Sequence, residues 1–293
     1  MSSVLVIAGN SFIGRAVRDE LGRQGWHVVS TSRHDGDCMY CDVRDAASVS
    51  AIIERHRPEA IVQCAGVTDA REAGDFYRTH VQGTLNLLEA VRRHVPRSPV
   101  VLIGSAAEYG PVEAEHLPVT ESHPCVPATF YGASKLAQTH IGQVAASSWG
   151  LRVRTARLFN VIGAGLPTQY FLASITQRLR SLPPGATFPV RNLHATRDFV
   201  EVRDAATAIV GLLAPEIPSI VYNVASGQET SLREVTVYLG ELAGGMTPTE
   251  GEAVEARVNT QRSQGDGSLL RETIGWEPRF DWRDGVRACW QTT

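Results

Sequence analysis

Apolar residues fall along this chain in two alternating textures, short unbroken runs and longer stretches with helical spacing. Val4-Leu5-Val6-Ile7 is such a run; after the small-residue stretch Ala8 to Gly14, Ala16, Val17 and Leu21 recur with the period of a helix. A second strand is predicted from Trp26 to Ser30, continuing into Thr31-Ser32-Arg33. Asp45 then reads as the N-cap of a helix with Val49, Ile52 and Ile53 facing inward, and Pro58 closes that unit. Ala60 to Gly66 is predicted as a buried parallel strand, and His80 to Arg93 as a helix with Val81, Leu85, Leu88 and Val91 on one face. Val100 to Gly104 is a further strand, which delivers Ser105 at its carboxyl end. Strand and helix alternate so regularly that an α/β fold with a doubly wound parallel (Rossmann) sheet is expected. Leu151 to Phe159 and Ile220 to Val224 extend that sheet. Residues 162–196 and 227–293 carry Pro/Gly breaks and a mixed pattern, so they are expected to form a smaller interleaved α/β lobe beside a sheet domain of 1–161 and 197–226.

Charge and cysteine content narrow the function classes. The 293 residues carry a net charge of -3, and the pI is near 6.3, so no electrostatic case exists for nucleic acid or a membrane surface. The first residues lack a basic n-region and their apolar run is short, which reads as a strand and not as a signal peptide. Five cysteines without framework spacing fit reduced thiols in the cytoplasm. Cys38 and Cys41 form a C-x-x-C, but no second pair or partnering histidines lie nearby, so they read as strand-edge residues and no metal site is expected.

Candidate chemistry sits at the predicted strand ends. A turn such as Gly9-Asn10-Ser11-Phe12-Ile13-Gly14 lets a backbone approach a pyrophosphate, which then rests on the N–H groups at the helix start; any tight strand-helix turn would look similar. At the end of the second strand an acid would accept a ribose 2'-hydroxyl, whereas Ser32 and Arg33 suit a 2'-phosphate. No acid occurs until Asp35, so NADP(H) is favoured, with NAD(H) the alternative. Cys64, Ala65 and Gly66 are small residues where a cofactor could pass closely. Tyr131 and Lys135 lie four apart on one helix face, so phenol and ammonium can share a cleft. A cation about 4 Å from a phenol would bring its pKa from ~10 toward neutrality. The pair alone also fits an amphipathic helix showing both residues to solvent.

Read together, S-F-I-G at 11–14, C-D-V-R-D at 41–45, G-S-A-A-E-Y-G at 104–110, Y-G-A-S-K at 131–135, R-L-F-N at 157–160, R-D-F-V-E-V-R-D at 197–204, Y-N-V-A-S-G at 222–227 and I-G-W-E-P at 274–278 give a chain that resembles the extended short-chain dehydrogenase/reductases of the nucleotide-sugar branch. Its texture is most similar to deoxysugar 4-ketoreductases. The resemblance implies a catalytic trio of Ser105, Tyr131 and Lys135, and cofactor contacts that include Asp42 and Val43. It also implies substrate contacts from Ala106, Asn160 and Arg197, with a further phosphate contact from Arg257 or Arg262. Arg197 could equally pair with Asp198 or Asp204, and Ser105 could simply cap a strand end. Asp266 and Trp276 match recurrent residues with structural roles. The implied partners are a nucleotide-sugar substrate and a second copy of the chain, dimerised through the 80–93 helix and the Tyr131 helix, with Leu136, His140 and Val144 on the pairing face.

Three departures from that pattern stand out. Ala8 and Ser11 occupy positions commonly glycine, expected to alter affinity rather than abolish binding. His80 stands where asparagine is common. Ala106 and Ala107 follow Ser105 where 4,6-dehydratases place an Asp-Glu pair, so dehydration has no evident proton carrier; Glu108, on a strand-like backbone, would face away. These features favour NAD(P)H-dependent reduction of a 4-keto sugar nucleotide. A 4-epimerase using the same trio is the nearest alternative, and a non-catalytic NADP-sensing protein is the remaining one.

Overall fold

The computed structural model describes residues 2–33, 38–70, 72–251 and 261–293. Twelve strands are described: β1 (Ser3–Ile7), β2 (His27–Ser32), β3 (Met39–Tyr40), β4 (Ala60–Gln63), β5 (Val100–Ser105), β6 (Val153–Leu158), β7 (Asn160–Ile162), β8 (Thr187–Val190), β9 (Thr196–Glu201), β10 (Val221–Val224), β11 (Glu229–Ser231) and β12 (Thr247–Glu250). Seven form a parallel sheet in the order β10-β6-β5-β4-β1-β2-β3. The chain winds outward from β1 in one direction through β2 and β3, then crosses back to β4 and onward. The switch therefore lies between β1 and β4, and the crevice outside their carboxyl ends is where such a sheet binds ligands.

Alternation along each strand builds a core on both faces. Val4 and Val6 join one buried cluster with Val62 and Val101, and the helices Phe12–Arg23 and Val202–Gly211 cover that face. Leu5 and Ile7 join the opposite cluster with Ile61 and Leu102, covered by Ala46–His56 and Gly83–His94. Each fully buried aliphatic side chain contributes about 1.5–3 kcal/mol. A third cluster, separate from the sheet, draws its residues from two stretches, Ile162 to Phe199 and Leu232 to Cys289. Among the described residues no helix is long and apolar enough to cross a membrane.

Local chemistry explains the element ends. Asp45 caps its helix as expected, accepting from the Ala47 amide at 2.9 Å. Ser11, at a position commonly glycine in the chains this one resembles, caps Phe12–Arg23 by accepting from the Gly14 amide at 3.1 Å. Gly14 admits no side chain, because a Cβ there would overlap the Ala8 carbonyl oxygen.

Two predicted elements and the reading of one residue differ. The 60–66 strand stops at Gln63, whose side-chain oxygen accepts from the Ala65 amide at 2.6 Å and turns the chain out of the sheet. The 80–93 helix begins earlier, as Ala73–Phe76 followed by a wide π turn over Tyr77–Gln82, before Gly83–His94. The extra residue in the π turn shifts the apolar register, so the helical period is legible only after it. Ala8 is no neutral replacement for glycine, since its φ of 56° lies in the left-handed region. Ala8→Gly is expected to raise stability by about 0.5–1 kcal/mol, read as a higher urea midpoint at unchanged slope.

Candidate active site

The helix Phe130–Trp149 starts at Thr129, whose hydroxyl accepts from the Gly132 amide at 3.0 Å, and ends at Gly150 with φ 67°. It packs directly on the turn that follows β5. Gly132 makes this approach possible: a Cβ at 132 would overlap the Ala107 carbonyl oxygen. Tyr131 is thereby brought into one cleft with Ser105, near enough for the serine side chain to act on the phenol's acidity. Ser105 also caps the short 3-10 turn Ala106–Glu108, accepting from the Ala107 amide at 3.2 Å, so the capping and cleft-facing readings of this serine both hold.

Glu108 is not on a strand and does not face the cleft. Its carboxylate is fully buried, accepting from the Ser105 amide (2.8 Å), the Thr139 hydroxyl (3.0 Å) and two nitrogens of Arg157 (3.0 and 2.8 Å). The Arg157 guanidinium also lies 4.4 Å over the Tyr109 ring. Glu108 is therefore withheld from the cleft by this engagement and not by the alternation argued from sequence.

Electrostatics also differ from the expectation. Burial pushes the Tyr131 phenol up to about 12, with the Ser105 side chain acting in the other direction. Lys135 is instead turned to the carbonyl of Ile103 at 2.9 Å and to Gln138 Oε1 at 3.3 Å, and burial pushes its ammonium down to about 8, opposed by Glu108 and Cys64. The shared helix face is present, but lysine does not draw the phenol toward neutrality here. Gln138, which no motif flagged, also donates to the Ile103 carbonyl at 2.9 Å and fixes the lysine's seat.

One cleft of about 1190 Å³ holds most of the predicted residues. Ser105, Ala106, Tyr131 and Lys135 line it together with Ser11, Phe12 and Ile13 at a helix start and with Cys64 and Gly66 after β4. Asn160 and Arg197 lie on its other wall. Asn160 donates to the Asp198 carbonyl at 3.2 Å and Arg197 to the Thr196 carbonyl at 2.7 Å. The Asp198 carboxylate accepts from Ser226, Gly227 and Gly265, and that of Asp204 from the Arg279 and Phe280 amides.

Other predicted residues lie away from the lining. Gly9 and Gly14 shape the turn behind Ser11, Ala65 points from the cleft into the core beside β4, and Ser32 is buried at the end of β2. Asp42 is held by Arg44 through bonds of 2.6 to 3.0 Å, which keep its carboxyl below the usual range; Val43 packs against Gly83. Arg33 instead borders a smaller hollow of about 200 Å³ with Arg44. Arg257 lies outside the described residues, whereas Arg262 lines the main cleft, paired with Glu229 at 2.6 Å. Asp266 and Trp276 are structural, Asp266 accepting from the Ser268 amide and the Trp276 indole donating to the Asp204 carbonyl. Cys38 and Cys41 are free thiols.

The cleft floor fits a dinucleotide. The first amides of a helix have no carbonyl one turn earlier; Ser11 satisfies Gly14, which leaves those of Phe12 and Ile13 at the cleft for an anion. Gly66 leaves the space in front of Lys135 unobstructed, since even a Cβ there would lie 3.6 Å from Nζ.

Residues 4–225 match the model of the NAD dependent epimerase/dehydratase family. The chain belongs to that family. It is thus one of the extended short-chain dehydrogenase/reductases, NAD(P)-dependent enzymes that act on nucleotide sugars. It is 31% identical over 304 aligned positions to the dTDP-6-deoxy-L-talose 4-dehydrogenase (NAD(P)(+)) of Kitasatospora kifunensis, covering 98% of this chain and 94% of the relative. It is 32% identical over 239 positions to the GDP-6-deoxy-D-mannose reductase of Pseudomonas aeruginosa, covering 79% of each. The structure of RMD from Pseudomonas aeruginosa complexed with NADPH superposes with a TM-score of 0.87 at 26% identity, covering 100% of this chain and 97% of the other. In this family member the Glu108–Arg157 pair anchors the serine turn. Glu108→Ala is expected to cost about 3–5 kcal/mol in chemical denaturation by stranding a buried guanidinium, and adding Arg157→Met should recover much of that loss.

Proposed function

We propose that the chain reduces the 4-keto group of a nucleotide-linked deoxysugar to the alcohol, with NADPH favoured and NADH the alternative. The observation that carries this reading is the meeting of the Ser105 hydroxyl and Tyr131 phenol at one cleft, with only the methyl groups of Ala106 and Ala107 following the serine. The two relatives named as deoxysugar oxidoreductases point the same way. The Phe12 and Ile13 amides would hold the pyrophosphate, Arg33 the 2'-phosphate and Lys135 the nicotinamide ribose. When bound, the nicotinamide supplies the hydride.

The residues then divide the remaining work. A phenol whose pKa burial holds near 12 is fully protonated at neutral pH, so Tyr131 is set as the donor to the forming alkoxide. Ser105 hydrogen-bonds the same oxygen and fixes its direction. Asn160 and Arg197 hold the diphosphate on the opposite wall, the guanidinium through paired donors. The body centred on 162–196 and 227–293 serves as the substrate lobe. Two copies pair in the cytoplasm along the Tyr131 helix, where Phe130 (64% exposed) and Val144 (58%) present apolar surface.

Incubation with a 4-keto-6-deoxy sugar nucleotide should consume NADPH stoichiometrically with alcohol formed; interconversion of sugar epimers with no net cofactor oxidation would indicate the epimerase instead. Tyr131→Phe should lower kcat by about 10²–10⁴-fold. Arg197→Ala should raise KM for the nucleotide sugar about tenfold or more with kcat nearly kept. Because the lysine cation is present below a pKa of about 8 and lost above it, kcat/KM should fall as pH rises through that value. Lys135→Arg should remove that limb, and a limb that persists unchanged would assign it to another group.

A further inference from the structure

The π turn Tyr77–Gln82 places His80 beneath the site, with no accessible surface. Its ring bridges two segments that carry the chemistry. Nε2 accepts from the Val67 amide at 3.1 Å, in the segment that follows β4 and lines the cleft. Nδ1 lies 2.8 Å from the Ser134 hydroxyl, and that hydroxyl donates to the Tyr131 carbonyl at 2.7 Å. Since the serine proton is committed to the carbonyl and Nε2 is an acceptor, Nδ1 must carry the imidazole hydrogen. Around the ring, Phe76 stacks at 6.2 Å and Tyr131 meets it edge-on at 5.8 Å. A Cβ on Gly66 would sit in ordinary contact, 3.4 Å from Nε2 and 3.6 Å from Lys135 Nζ, so imidazole, ammonium and the 66–67 backbone are near neighbours.

We propose that His80 is a positioning residue whose Nδ1–H imidazole fixes the Gly66–Val67 backbone, the cofactor-facing wall, to the first turn of the helix bearing Tyr131 and Lys135. The inference rests on the dinucleotide reading of the cleft. A protonated ring would lose the Val67 bond and set a second cation beside Lys135. Burial and Lys135 together push the imidazole down to about 2, so it stays neutral through the working range. The titratable groups facing it are Tyr131 and Lys135 from one helix; Ser134, Gly66 and Val67 supply only neutral contacts.

Two replacements separate the halves of the bridge. Asparagine can reproduce the Nδ1 position and glutamine the Nε2 position of a histidine ring. His80→Gln should therefore keep the Val67 contact, and His80→Asn should keep only the Ser134 contact.

The test measures hydrogen exchange at the Val67 amide and NADPH affinity by titration calorimetry in the full chain. His80→Asn is expected to accelerate Val67 exchange and weaken NADPH binding, each by about tenfold, the effect of leaving one buried donor without a partner. His80→Gln should keep both near the unmodified chain. Nitrogen-15 spectra should report the Nδ1–H tautomer without titration between pH 5 and 8. Equal exchange and affinity in the two variants, or a ring that titrates in that interval, would overturn the proposal. If the unmodified chain binds no NADPH but His80→Asn still unprotects Val67, the bridge stands and the dinucleotide reading fails.

Discussion

The buried carboxylate of Glu108 is the constraint on which the site depends. It accepts at once from the Ser105 amide, the Thr139 hydroxyl and Arg157, and so joins the β5 tip, the Tyr131 helix and β6 at one point. A charge this deep persists only when every lone pair is engaged, since desolvation otherwise exceeds the Coulombic return. Its three partners come from three elements, so satisfying the charge also fixes their mutual placement. Gly132 permits the approach of helix to turn, since a Cβ there would overlap the Ala107 carbonyl oxygen.

A second layer repeats this logic on the cofactor side. Lys135 is seated by Gln138 and the Ile103 carbonyl, and His80 joins the segment after β4 to the same helix. Helix and strand ends around the cleft are thus linked mainly through polar groups under the surface, while apolar clusters on both sheet faces supply the bulk of the stability. Division of labour between the two kinds of interaction is physical: apolar burial is non-directional, whereas hydrogen bonds fix distance and angle.

The buried surroundings also shape the acid-base behaviour. Burial raises a phenol and lowers an ammonium, moving Tyr131 up to about 12 and Lys135 down to about 8, apart in opposite directions. A phenol kept protonated suits donation to an alkoxide, and a lysine near its own midpoint responds to small changes in charge nearby. In a family whose members reduce, epimerise and dehydrate on one scaffold, side chains beside a common trio are where such chemistries diverge. Here those neighbours are the methyl groups of Ala106 and Ala107.

The sequence by itself determined the strand-helix alternation, the parallel sheet, the Asp45 cap and the shared helix face of Tyr131 and Lys135. These follow from periodicity and from short-range spacing, which a linear pattern records directly. Only the tertiary structure decided the rest. The wide turn before Gly83 shifts register without leaving a composition cue, and it alone explains why His80 reaches Val67 and Ser134. Glu108 reads from the sequence only as an acid facing away along a strand, and its burial shows once Arg157 and Thr139, 49 and 31 positions later, fold over it. Ala8 looks harmless until the backbone shows its positive φ. Burial, the partners of a buried charge and the hand of a backbone turn depend on contacts between distant segments, and those exist only once the chain has folded.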